Sequence, residues 1–474
     1  MTELRITPVT RLEGHAQVRI TLNSGNEVER AHFNVMELRG FEKFLIGAAV
    51  EEAPRITPRI CGICPTSHHL ASVKAVDAIL GAEPPETARK LRELLNHAQY
   101  IHSHAIHFFM LAAPDFLVGH DAPAADRSVI GIAKKDPGLA KKAIEVRKLG
   151  QRITEAVGGK PIHPSNAVPG GMSRPLDETA RGNLLAMAKG GLAIAKEGWE
   201  LARTMMDGTD LTLGTVETGF LAMTKEKKYS PYEGTVETMG KDRSPLGSFT
   251  GADYTKHITE FSEDWSYLKF TKLANGTFYR VGPQARLNIC SSMGTPIADA
   301  ALKEYRGKFG ETVQAPLACN LARYVEFLAS CERVVELLED PAITGTNIRA
   351  PVAGVKAARG VGIIEAPRGT LIHDYMVNEK GFIERCNLIV ATCQNNYAID
   401  RSVEAVAKPL VKDGKLPEAA ANRIEMVIRS YDPCISCATH AIGRRAWPIE
   451  IVRSGDGAGK GETLRPHEGD DLLC

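Results

Sequence analysis

Residues 15–22 alternate between apolar and polar side chains: Ala16, Val18, Ile20 and Leu22 share one face, and Gln17, Arg19 and Thr21 the other. The run "NSGNE" turns the chain, and Ala31, Phe33 and Val35 resume the alternation. A period of two on either side of a turn cluster predicts a half-buried β-hairpin. Beyond Cys64 the period changes. Pro65 suits a first helical turn, and Leu70, Val73, Val76 and Leu80 follow at spacings of three and four. Cys64 is thus expected at a helix N-terminus, where free N–H groups favour a thiolate. A long helix is predicted from Glu86 to about Ala113, with Leu94, Ile101, Phe108 and Leu111 on its apolar face. Further helices are predicted near 136–157, 176–206, 296–308, 320–339 and 417–430. Residues 227–254, rich in Gly, Ser, Pro and Thr, read as an irregular or β-containing excursion. The expected fold is mainly α with a small β component (α+β), a central helix bundle beside an N-terminal β-hairpin.

Composition changes this picture little. The chain has 474 residues, 43% hydrophobic and 24% charged, ordinary values for a globular protein. Its 58 basic and 57 acidic residues leave a net charge of +1, which argues against general attraction to nucleic acid or an anionic membrane. The N-terminus "MTELRITPVTRLEGH" lacks a signal-peptide pattern, and no stretch approaches the roughly 18 apolar residues of a membrane span. A cytoplasmic protein is expected. Ten cysteines are too sparse for a disulfide scaffold, and C-x-x-C pairs in a reducing compartment point to metal ligands or redox dithiols.

Two such pairs stand near opposite ends of the chain, Cys61 with Cys64 and Cys434 with Cys437. Short spacing lets both sulfurs of a pair reach one ion, and four thiolates can make a structural tetrahedral zinc site. Zinc modules usually place their pairs within a few tens of residues. Closing so long a loop costs more entropy, though only logarithmically. A site joining both chain ends is therefore expected at the centre of a fold, and spacing alone leaves zinc open.

The company of these cysteines narrows the choice. "RLEGH", "RGFEKF", "PRICGIC", "EAPRGTL" and "DPCISCATH" follow one another between about residue 5 and His440. In that order they resemble the large, catalytic subunit of nickel–iron hydrogenases. A quinone-reducing subunit of respiratory complexes shares that fold but lacks the four cysteines. The resemblance implies Cys61 and Cys434 as terminal nickel ligands, and Cys64 and Cys437 as bridges to an iron carrying carbonyl and two cyanide ligands. Soft thiolates select late transition metals, and a thiolate can accept a proton as H2 is split heterolytically. The same resemblance makes Glu13 the carboxyl that relays a proton from Cys434, a task suited to a group whose pKa burial can raise. It places Arg368 over the open side of the metals, with Asp432 as a carboxylate partner. It also places Pro367 and Thr392 around the diatomic ligands, and His68 behind the cysteines.

Glu42, His440 and the backbone carbonyl of Leu388 resemble the ligands of a buried magnesium or similar divalent ion. His440 also resembles the last residue of a mature chain. Residues 1–440 are then the catalytic domain, and 441–474 a maturation extension removed by an endopeptidase after nickel-insertion factors have acted. One departure is Ser103, where many membrane-associated relatives carry an acidic residue. Another is that Cys434 is not selenocysteine.

"MELRGFEKFL", "HSHAIHFFMLAAPDF" and "GGKPIHP" resemble the cytoplasmic bidirectional group. Within it the likeness is nearest to the viologen-reducing type that works with heterodisulfide reductase, then to the NAD-reducing type, then to the deazaflavin-reducing type. Cys290, Cys319, Cys331, Cys386 and Cys393 lack iron–sulfur spacing and read as small core residues. Electrons are expected to leave through a separate iron–sulfur small subunit, towards a heterodisulfide reductase-like module or an NAD-reducing diaphorase. The alternative class is a non-catalytic, structural metal-binding subunit.

Overall fold

The structure, a computed structural model, describes residues 2–352 and 354–439, together with two short strands, Ile449–Ile451 and Glu462–Leu464. At the N-terminus three antiparallel strands form a sheet in chain order: β1 (Thr2–Ile6), β2 (Ala16–Leu22) and β3 (Val28–Val35). The expected hairpin is β2–β3. Its register sets Val18 opposite Phe33 and Ile20 opposite Ala31, all fully buried. Strand β1 was not expected. Only Ile6 of its five residues is buried, so it carries no readable alternation.

Pro65–Leu80 forms helix α1, with Cys64 at its N-cap. The long helix is α2 (Glu86–Ala105), which widens into a π-helical stretch, Ile106–Ala112, and ends in a short turn, Ala113–Leu117. Helices α3 (Pro137–Gly158), α4 (Glu178–Thr204) and α5 (Cys319–Glu339) lie within two residues of expectation. Asp136 and Asp177 cap α3 and α4 by accepting from Leu139 N–H at 2.9 Å and Ala180 N–H at 2.8 Å. These four helices pack on one another as the central bundle. Pro296–Phe309 lies against α5 as a further expected helix. The excursion contains the antiparallel strands Thr235–Met239 and Pro245–Phe249, and the first of them also pairs with Gly219–Lys225, which precedes the excursion.

Two of the unexpected parts of the fold carry site residues. One is the antiparallel sheet β4 (Arg359–Ala366), β5 (Gly369–Val377) and β6 (Ile383–Ile389). Strand β4 lies so close to α1 that a Cβ at Gly360 or Gly362 would run into the carbonyls of Ala75 and Ala71. Only glycine permits that approach. Ala366 pairs with Gly369, so Pro367 and Arg368 form the tip of a two-residue hairpin. The other is helix α6 (Ala391–Leu410), which lies against β3 and precedes the expected final helix α7 (Glu418–Ser430). His440 and the expected extension 441–474 fall outside the described residues, apart from the strands Ile449–Ile451 and Glu462–Leu464, which pair with each other.

Candidate metal centre

Each C-x-x-C motif spans a change of backbone conformation. Cys61 ends a 3-10 turn, Thr57–Ile60, in an extended conformation, and Cys64 caps α1. Cys434 is likewise extended and starts a short helical turn, Ile435–Ala438, that carries Cys437. Asp432, two residues before Cys434, has φ +53°, a left-handed conformation uncommon outside glycine. Arg368 holds it there, Nε donating to its carbonyl at 2.8 Å and Nη2 to its carboxylate at 3.0 Å.

The four sulfurs converge within 4.8 Å of one another. Cys61 lies 3.4 Å from Cys434, Cys64 3.2 Å from Cys437, and Cys434 3.0 Å from Cys437. All four residues are buried. Hydrogen bonds from Cys434, Cys437 and Cys64 draw the Cys61 thiol well below its ordinary pKa. Burial pushes the Cys434 and Cys437 thiols well above theirs. Four crowded sulfurs cannot all ionise without a counter-charge, and a thiophilic metal supplies one.

Glu13 reaches this cluster from the turn before β2. It forms an isolated bridge with Cys434, and its carbonyl accepts from Ile435 N–H at 3.1 Å. Its carboxylate accepts from Cys434 Sγ at 3.1 Å, from Ser436 N–H at 2.9 Å and from the Ser436 hydroxyl. Gly14 explains the glycine of "RLEGH": its φ is +82°, and a Cβ there would collide with Ile435. Arg368, 4% exposed, lines the cavity beside Cys64, Cys434 and Cys437, as do Pro367 and Thr392. Burial opposes charge on both Arg368 and Asp432, yet their mutual attraction keeps both ionised. Thr392 Oγ1 accepts from Cys434 N–H at 2.8 Å. His68 Nε2 lies 3.2 Å from Cys437 Sγ.

Glu42 and Leu388 also meet, through Leu388 N–H donating to the Glu42 carboxylate at 2.6 Å rather than through the Leu388 carbonyl. The same carboxylate oxygen accepts from Lys269 Nζ at 2.7 Å, and that ammonium also reaches Asn387 at 2.8 Å and Glu260 at 3.1 Å. Oxygen donors of this kind suit a hard divalent ion, although Lys269 adds a competing positive charge. His440 is outside the described residues. Its neighbour Thr439 is held here, because the carbonyl accepts from Arg39 and Gly40 N–H at 3.3 and 3.4 Å.

Several partners carry no readable signal in the sequence. The Arg39 guanidinium also donates to the carbonyl of Ile60, so one residue ties both cysteine arms together. The fully buried Arg286 pairs with Glu326 and Glu365, and donates to the carbonyls of Ala366 and Pro367 at 3.0 Å each. It thereby fixes the hairpin tip that bears Arg368. Behind His68 stand His373, 3.1 Å away, and Tyr375, whose hydroxyl lies 2.6 Å from His373. Arg39 and Glu365 stood inside the motifs "RGFEKF" and "EAPRGTL"; the others lacked any local pattern. Cys290, Cys319, Cys331, Cys386 and Cys393 are buried, and burial pushes their thiols up, as small core residues require.

The chain matches a family model described as "Nickel-dependent hydrogenase" over residues 39–134 and 192–440, and one described as "HoxL-like" over 3–38. It is 41% identical over 465 residues to a subunit of the F420-non-reducing hydrogenase vhc of Methanococcus voltae, covering 95% of this chain and 98% of that protein. It is 37% identical over 482 residues to the beta subunit of the NAD-reducing hydrogenase HoxS of Cupriavidus necator, covering 97% and 98%. A crystal structure of an NAD+-reducing NiFe hydrogenase in the H2-reduced state matches with a TM-score of 0.89 at 38% identity, covering 93% of this chain and all of that one. The four-sulfur site in a fold of this kind places the chain in the nickel-dependent hydrogenase family, as a large subunit with a cysteine site for a nickel–iron centre.

Proposed function

We propose that Cys61 and Cys434 hold nickel, that Cys64 and Cys437 bridge it to an iron bearing carbonyl and two cyanides, and that H2 is split there into two protons and two electrons. When bound, the metal pair supplies the Lewis acidity and the electron acceptor for heterolytic cleavage. This chain's residues manage the rest. The Cys434 sulfur takes the first proton, and Glu13, 3.1 Å away, receives it. Arg368 directs a guanidinium N–H at the cavity, since Nη1 has no partner among the described residues while Nε and Nη2 hold Asp432. Thr392 keeps its hydroxyl proton free to donate while its oxygen accepts from Cys434 N–H. Glu42, the Leu388 carbonyl and His440 hold a magnesium-like ion that anchors the chain end at residue 440, and residues 441–474 are removed during maturation by an endopeptidase acting after nickel insertion. The observation that carries this reading is the meeting of four sulfurs with Glu13 and Arg368 in one buried site.

The electrons leave through an iron–sulfur small subunit. Exposed apolar side chains support a partner: Met36, Phe44, Ile46 and Phe382 are 59%, 69%, 41% and 43% exposed. Ile46 and Phe382 lie close together, because Gly47 N–H donates to the Ile383 carbonyl at 2.8 Å and Ala49 bridges Phe382. The onward acceptor is a heterodisulfide reductase-like module, with an NAD-reducing diaphorase as the second reading. The setting is cytoplasmic. Supporting that, the described cysteines are all unpaired thiols, and no helix of the described residues is long and apolar enough to cross a membrane. Metal analysis with infrared spectroscopy of the purified complex tests the core of the proposal. Nickel and iron with metal carbonyl and cyanide bands are expected; zinc without those bands would leave a structural subunit instead.

A further inference from the structure

Beside the sulfurs lies a cavity of about 20 Å³, room for about one water-sized group. Ser67, Arg368 and Thr392 line it next to Cys64 and Cys437. Ser67 stands three residues after Cys64 and so shares its face of α1. It is fully buried, and its hydroxyl has no hydrogen-bond partner among the described residues. A buried helical serine ordinarily returns its hydroxyl to the carbonyl four residues back. Here that carbonyl, on Ile63, accepts instead from Gln99 Nε2 at 2.7 Å. An unpaired buried hydroxyl is costly enough to need an explanation.

The neighbouring donors repeat the pattern. Arg368 Nη1 is equally unpaired, and Thr392 has a hydroxyl proton to give. Three donors around one small cavity at a metal site call for an occupant that only accepts. A small anionic ligand with its lone pair pointing away from the metal meets that description. We propose that the Ser67 hydroxyl donates a hydrogen bond to the outer nitrogen of one cyanide on the iron, as a third donor beside Arg368 and Thr392. This rests on the nickel–iron reading above and adds to it a residue that no sequence motif singled out.

Infrared spectra of the purified complex test the assignment without relying on turnover. A hydrogen bond at the outer nitrogen raises the cyanide stretch, so Ser67→Ala should move one cyanide band to lower wavenumber and leave the other nearly in place. Ser67→Thr keeps the donor and should restore the wild-type position. Unchanged bands in a metal-loaded Ser67→Ala complex would overturn the proposal, as would a cavity filled only by water, which gives the same unchanged bands. Should Ser67→Ala fail to load metal, Ser67→Cys decides: its weaker donor should shift the same band the same way, and unshifted bands contradict the proposal. Loading lost in the Ala and Cys variants but kept in Ser67→Thr supports a required hydroxyl, whereas loss in all three makes residue 67 a packing position and contradicts it. Absence of cyanide bands from the wild-type complex refutes the iron-ligand reading itself, a result separate from unshifted bands.

Discussion

Glu13 and Cys434 are 421 residues apart in sequence, yet the carboxylate accepts a hydrogen bond from the cysteine sulfur at 3.1 Å. The contact is built by backbone as well as side chain, because Ile435 N–H donates to the Glu13 carbonyl. A terminal loop and the second C-x-x-C motif thus form one unit. Glu13→Gln keeps the shape and the acceptor oxygen but cannot take up and release a proton. Turnover with H2 should fall by about 100-fold or more, with metal content unchanged. Assaying H2-dependent dye reduction alongside metal analysis separates this from a loss of assembly; near-normal turnover would exclude Glu13 as the sole relay.

Arg368→Lys should be slow despite its retained charge. The guanidinium uses two nitrogens to hold Asp432 and still presents the third to the cavity. An ammonium is a point donor without that planar fork. A loss of about 100-fold in turnover is expected, comparable to removing one preorganised donor. Steady-state rates on fully loaded complex provide the check, and a rate within a few-fold of wild type would show that charge alone suffices.

The long helices were legible because their buried faces are apolar and repeat at helical spacing. Helix α6 was not. Its first turns bury the polar Gln394, Asn395, Asn396 and Asp400, and only its second half repeats apolar residues, Ile399, Val403 and Val406, at helical spacing, too short a run to stand out. Strands β4 and β5 hid for the opposite reason. Ile363, Ile364, Leu371 and Ile372 are all buried, so neither strand shows the polar–apolar alternation of a half-solvated edge. The cysteine, arginine and carboxylate motifs were readable from their residues and spacing. Arg286, His373 and Ser67 were not, because their roles arise only when α1, β5 and the hairpin tip come together.

Acid should destabilise the fold through its buried histidines. His69 is held neutral: Nδ1–H donates to the Pro54 carbonyl at 2.7 Å, and Nε2 accepts from Ala167 N–H at 3.2 Å. Burial lowers its pKa from 6.5 to about 4. The unfolded chain therefore binds a proton that the folded chain refuses between those values. Stability is full above about pH 6.5 and falls as pH drops towards 4, at about 1.4 kcal/mol per pH unit for this group. Denaturant midpoints measured across that range should show the fall. Ser, Ala or Gln at position 69 should remove one proton from the slope, and an unchanged slope in His69→Gln would contradict the assignment.

The chain end offers a mass-spectrometric check. Thr439 is bound through its carbonyl to Arg39 and Gly40 N–H, just before the helical turn that carries Glu42, which is proposed to share an ion with His440. The ion proposed at Glu42 and His440 would fix the chain end there once nickel is in place. Active protein should therefore end at His440 and lack Ala441–Cys474. Intact mass of the active large subunit reads this directly: a fully active chain that still carries Cys474 would rule out the proposed maturation.

Everything proposed for this site depends on Cys61, Cys64, Cys434 and Cys437 binding nickel and iron together. Nickel-edge X-ray absorption on the purified complex decides it. A sulfur-rich nickel shell is expected at about 2.3 Å, the length common to metal–thiolate bonds, with an iron neighbour, and both signals should vanish in Cys64→Ala. Nickel absent from wild-type protein, with zinc in a tetrahedral sulfur shell in its place, would contradict the nickel–iron assignment.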